Sequence, residues 1–130
     1  MNILRPVDIE DECRLALKDY FEVYCRPLPA NYSLPCLLVS CTGGTTRNEV
    51  DTFTVVIDAR AKTDASAYAL LSDALGVLAE QANVQDGALR NVSINQLARW
   101  GSDPVRPDLK LCTATVQVVA HREATTISES

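Results

Sequence analysis

The sequence predicts an α+β domain in the order helix-strand-strand-helix-strand-strand, with two helices on one face of a four-stranded antiparallel or mixed sheet. Three observations predict it. Two segments repeat apolar residues at three- and four-residue steps, as amphipathic helices do. Others alternate with the period of two that marks a strand buried on one face. The strands fall in pairs between the helices, which favours helices packed on one face of a sheet. With 130 residues, 47% of them hydrophobic, the chain can build one ordinary core and not two. Residues 1–122 are therefore read as one domain, and the polar, aperiodic residues 123–130 as a disordered C-terminal tail.

The first helix is read in "DIEDECRLALKDYFEVYCRPLP". Asp8 stands at its N-cap and acids fill the first turn, where they meet the positive end of the helix dipole. Ile9, Cys13, Ala16, Leu17, Tyr20 and Tyr24 form its apolar stripe, which stops ahead of Pro27 and Pro29. Glu10, Asp11, Glu12, Asp19 and Glu22 lie mostly off that stripe and read as a solvated face. "CLLVSC" is a short buried strand, and "VDTFTVVIDARA" is its partner, with Phe53, Val55, Ile57 and Ala59 on one face. Between them "TGGTTRNE" invites comparison with a phosphate-cradling loop. Such a loop needs a helix directly after it, and here a strand follows. The segment is read as a mobile hairpin loop, longer than the tightest turns, joining antiparallel neighbours and ordering on contact with a partner.

"KTDASAYALLSDALGVLAEQANV" gives the second helix, capped by Thr63 or Asp64, with Ala67, Leu70, Leu71, Ala74, Leu78 and Ala82 on one face. Gly76 inside it is expected to allow close approach to the sheet, and "QDGA" to end it with Gly87 in a left-handed turn. "LRNVSINQLARW" is the next strand, followed by the turn-rich "GSDPVRPD". "LKLCTATVQVVAHR" is expected to be the longest strand, with Cys112, Ala114, Val116, Val118 and Ala120 on one face.

A net charge of −5 and a pI near 4.7 argue against a protein that binds by neutralising nucleic-acid phosphates. No run approaches the roughly 18 apolar residues of a membrane span, and the N-terminus lacks the apolar stretch of a signal peptide, so a soluble protein made in the cytoplasm is expected. Five cysteines, an odd number, read as reduced and buried thiols. Cys36 and Cys41, five apart on one strand, face opposite sides and cannot grip one ion without a bulge. The sole histidine, His121, falls at a strand end away from any evident nucleophile, and Asp58, Asp64 and Asp73 are too scattered for a metal cluster. Trp100 reads as a cover for the core edge or an interface. No catalytic, cofactor-binding or metal-ligating residue is predicted, and no cofactor.

The order of these motifs resembles the tail terminator and tail completion family of long-tailed bacteriophages and prophages. The resemblance rests on the helix "DIEDECRLALKDYF", the strand "LPCLLVSCTGG", "DTFTVVIDARAKT" running into "DASAYALLSDALGVLAEQ", and the closing "GSDPVRPDLKLCTATVQVVAHR" with its basic end at Arg122. It spans roughly residues 5 to 122 and is a pattern of elements rather than an invariant signature. It implies a non-enzymatic homo-oligomer, a hexameric ring at the head-proximal end of the virion tail, assembled in the host cytoplasm. Such a ring caps the tail-tube protein, presents a docking surface to the head connector protein and lets DNA pass through its lumen. An acidic chain suits that passage, because it offers phosphates no attraction. The cysteine richness departs from the family pattern. Thr45, Thr46, Arg47, Asn48 and Glu49 of the loop, with Arg106, are the candidate assembly contacts. The alternative from a different class is a small-ligand-binding or enzymatic α+β domain, which would need a concave pocket with convergent polar groups. A peptide adaptor would need an uncovered outer strand.

Overall fold

The computed structural model describes residues 1–84 and 87–128, with every side chain among them except those of Leu97 and Ala98. The elements are β1 (Asn2–Arg5), α1 (Ile9–Leu17), β2 (Val23–Cys25), β3 (Cys36–Arg47), β4 (Val50–Ala61), α2 (Asp64–Gln81), β5 (Leu89–Ser102), β6 (Lys110–Ala120) and β7 (Glu123–Thr126). Five strands form one mixed sheet in the order β2-β3-β4-β6-β5, in which only β2 and β3 pair in parallel. β1 and β7 make a separate antiparallel ribbon. Both β4 and β5 are antiparallel to β6, so they run in the same direction with β6 inserted between them and α2 crossing from one to the other.

The α+β class holds, and each helix forms for the reasons its sequence gives. The Asp8 carboxylate accepts from the Asp11 N–H at 3.3 Å, and the Thr63 hydroxyl accepts from the Ser66 N–H at 3.1 Å, which satisfies N–H groups the first turns leave open. Ile9, Cys13 and Leu17 of α1, with Ala67, Leu71, Ala74 and Leu78 of α2, are buried on one side of the sheet. They meet the alternate residues Leu37, Val39, Val55, Ile57, Cys112, Ala114, Val116 and Val118. Small residues at Ala59, Ala67, Ala74 and Ala114 let helices and strands approach closely, so the core is dense with few aromatic side chains.

Several expectations are corrected. The sheet has five strands rather than four, because the apolar stripe read as one helix breaks after Leu17. Tyr20 is exposed, and Tyr24 lies on β2, which pairs beside β3. The two prolines lie beyond β2, in the connection to β3. Residues 123–126, expected within a disordered tail, form β7, because Asn2–Arg5 offers them a ladder and Arg5 pairs with Glu123. Glu129 and Ser130 lie outside the described residues. β5, not β6, is the longest strand. Gly76 is exposed, and a Cβ there would meet nothing within 4 Å, so it brings no close approach to the sheet. Ala82 caps α2 in right-handed geometry, and Gln85 and Asp86 of the turn expected at Gly87 lie outside the described residues.

The hairpin carries the largest revision. "TGGTTRNE" is not a long loop: β3 continues to Arg47, opposite Val50, and only Asn48 and Glu49 make the turn. Both have positive φ, 53° and 65°, the pattern of the two-residue turn whose twist matches that of paired strands. The glycines serve the ladder instead. The register shifts between Cys41 and Gly43, whose φ is 138°, and a Cβ on Gly44 would sit 2.4 Å from the Thr52 carbonyl oxygen. Two substitutions should therefore act in opposite directions in urea unfolding. Gly44→Ala should destabilise by roughly 1–3 kcal/mol through that backbone clash. Glu49→Gly should stabilise by up to about 1 kcal/mol by removing a Cβ from a left-handed site.

Candidate functional site

The expected contact residues 45–49 gather at one end of the sheet around a buried carboxylate. Asp51 is only 3% exposed and receives the Arg122 guanidinium on both oxygens at 2.9 Å, with the Thr46 hydroxyl donating to Oδ1 at 2.7 Å. Arg122, helped by Thr46, holds the Asp51 carboxyl below the usual range against the opposing effect of burial. Thr46 is thus committed to the fold. Arg47, Asn48 and Glu49 are exposed on the tip.

Arg106 is not brought to them. It lies near the far end of β4, a strand whose residues 50 to 60 span about 33 Å at the usual rise. There, connections 26–35 and 103–109 fold over the corner of the sheet opposite the helices. Asp103 Oδ2 accepts from Arg60 Nη1 at 2.5 Å and from the Tyr32 hydroxyl at 3.2 Å, while Oδ1 accepts the N–H groups of Val105 and Arg106. The Tyr32 ring lies 5.6 Å from both the Arg60 and the Arg106 guanidinium carbons. Burial raises the cost of ionising Asp103, but its two backbone donors, Arg60 and Tyr32 together keep its carboxyl below the ordinary range. The hydrogen bonds here close loops onto the sheet, and Arg60 Nε is buried with no partner among the described residues.

Beyond that corner, the face of the sheet away from the helices has no helix or strand packed on it among the described residues. Across it run the rows Leu38–Asp58–Thr113–Arg99, Ser40–Val56–Thr115–Gln96 and Thr54–Gln117–Ser93. Thr113 donates to Asp58 at 2.6 Å and Gln117 to Thr54 at 3.1 Å, leaving a flat, mostly neutral surface of short side chains. One shallow depression interrupts it, where Gly101 leaves room between Asp58, Arg99, Leu111 and Thr113.

Burial pushes the Cys13 thiol up to about 12 and the Cys36 thiol up to about 11, and it also raises Cys25 and Cys112, so these four are protonated at neutral pH. His121 is exposed beside Leu4, Glu49 and Arg122. Among the described residues no group of three His, Cys, Asp or Glu side chains could hold a metal ion, and no helix is long and apolar enough to cross a membrane. Trp100, expected at a core edge or interface, stacks on Tyr68 of α2 at 5.8 Å with both rings about half exposed.

Comparison with protein-family models and with curated proteins gave no match. The chain's own geometry therefore carries the functional argument. The sequence reading missed the Asp51–Arg122, Arg60–Asp103 and Glu10–Arg26 pairs, whose partners are far apart in the chain. A usable signal was present for two of them: an acid and a base, Asp51 and Arg60, at the two ends of an otherwise apolar alternation.

Asp103→Asn should cost roughly 3 kcal/mol, because it leaves Arg60 charged, buried and uncompensated. Since the folded chain holds the Asp103 pKa below the usual 3.8, the wild-type contribution is complete above that pH and is lost as pH falls through the lowered value. Urea midpoints measured from pH 6 to pH 2 should therefore fall less steeply below about pH 4 in the Asn variant.

Proposed function

We propose that this chain is a tail terminator or tail completion protein of a long-tailed bacteriophage or prophage. In this reading it acts in the virion, at the head-proximal end of the tail, as a non-enzymatic ring of six copies that caps the tail tube and joins it to the head connector. The observation that carries the reading is the uncovered sheet face. A five-stranded sheet with helices on one side only leaves Leu38, Val56 and Val119 half-buried, with Thr115 beside Val56 and Thr52 beside Val119, a flat strip suited to a neighbour rather than to a small molecule. The net charge of −5 supports a lumen that DNA traverses without adhering.

One observation favours the different-class alternative. The depression at Gly101 sets a carboxylate, Asp58, and a guanidinium, Arg99, along one rim, which would suit a small zwitterionic ligand. It is open and shallow, and Asp58 already accepts from Thr113, so the polar groups do not converge on an enclosed volume.

The test is purification of the chain with a tail-tube protein, followed by light scattering, tube-length measurement and amide exchange. Rings that cap tubes are expected, with residues 47–50 gaining protection on assembly and Arg47→Glu lowering tail completion by about tenfold through a lost pair with an acidic partner. A chain that binds neither itself nor any tube protein over a wide concentration range would remove the reading. Unchanged protection at the tip together with a fully active Arg47→Glu variant would remove the hairpin from the contact.

A further inference from the structure

The two edges of the five-stranded sheet carry opposite charge. β5, at one edge, holds Arg90 and Arg99 and no acid in its fourteen residues, and both arginines are exposed. Arg90 donates to the carbonyls of Gly87 and Leu89, which holds its guanidinium near the start of the strand. Beside this edge stand the exposed rings of Trp100 and Tyr68, stacked on each other. β2, at the other edge, is entered through "KDYFE", in which Asp19 and Glu22 are exposed and outnumber Lys18. Between them Tyr20 is 62% exposed. Each edge thus pairs an exposed aromatic anchor, the residue class that dominates interface energetics, with an excess of one charge, positive along β5 and negative at the entry to β2, where Arg26 just beyond the strand is paired with Glu10.

We propose that the β5 edge of one copy docks head-to-tail against the β2 edge of a second copy, Arg90 and Arg99 facing Asp19 and Glu22. The occupant is another copy because the chain itself supplies both complementary surfaces, and they lie at opposite ends of the same sheet. A two-fold contact is disfavoured, since it would set arginine against arginine or acid against acid. Head-to-tail contact generates a closed ring when the rotation fits, so this assignment rests on the ring reading above and adds which surfaces meet.

Multi-angle light scattering and sedimentation of four samples test it: wild type, Arg90→Glu/Arg99→Glu, Asp19→Lys/Glu22→Lys, and an equimolar mixture of the two variants. Circular dichroism verifies that each is folded. Wild type is expected to assemble, more weakly at 0.5 M than at 0.05 M salt, roughly, as screening predicts. Each variant alone should assemble about tenfold or more weakly. The mixture should recover assembly, because reversed edges then face reversed edges and native edges face native ones. Variants that assemble like wild type, or a mixture that stays dissociated, would overturn the docking mode while leaving a ring built by other surfaces. A wild type that never assembles would overturn the ring itself and this contact with it.

Discussion

Strand β4 is pinned at both ends by a buried ion pair, and the rest of the sheet takes its position from that strand. Asp51 meets Arg122 at one end and Arg60 meets Asp103 at the other, while β4 pairs with β6 without interruption from Asp51 to Ala61. Buried pairs recover little net energy, because removing two charges from water offsets most of their attraction. Their value is positional. Asp51 shares the parity of the helix-facing residues and Arg60 that of the opposite face, so a slip of one residue would carry each charge to the wrong side.

The same two pairs explain why the connections sit where they do. Arg122 follows the end of β6, and its grip on Asp51 directs the chain into β7 and the ribbon with β1. Asp103 follows the end of β5, and its four acceptor contacts gather 26–35 and 103–109 over one corner of the open face. Glu10 performs a third closure: it accepts from Arg26 and from the Cys41 N–H, covering part of the β3 edge just beyond the three residues that β2 pairs. Among the described residues, the rest of the flat face and the two charged edges remain uncovered.

Much of this was legible because its signals are local. Asp8 and Thr63 cap their helices as their residue types and positions imply, and the alternation in "CTATVQVVA" places every second residue in the core. The parts that escaped depend on distant partners. Tyr24 fits a helical stripe by spacing, but β3 offers it a strand neighbour, and tertiary context overrides a short periodic run. The four residues of β7 have no apolar alternation to announce them and exist because β1 lies opposite. Asn48 and Glu49 lack the glycine that usually marks a two-residue turn, so the glycines at 43 and 44 drew attention to the wrong place. Among the candidate contacts, the exposed tip 47–49 was legible as polar and unconstrained. The retention of Thr46 by Asp51 and the distance of Arg106 required the fold.

The placement of β6 has a consequence for how the chain reaches this structure. The β3–β4 ladder closes through two residues, whereas every β4–β6 pair, the nearest being Ala61 with Lys110, must wait for the chain to travel through α2 and β5. Closing the longer loop costs more entropy before any contact rewards it. Insertion of β6 between two strands that run the same way is therefore the slow event, and the hairpin is available beforehand as its template. Substitutions in the Asn48–Glu49 turn then change the refolding rate together with stability, because the hairpin is already formed when β6 docks, while those at Ala114 or Val116, whose contacts form as β6 inserts, divide their effect between refolding and unfolding. A chevron analysis separates the two.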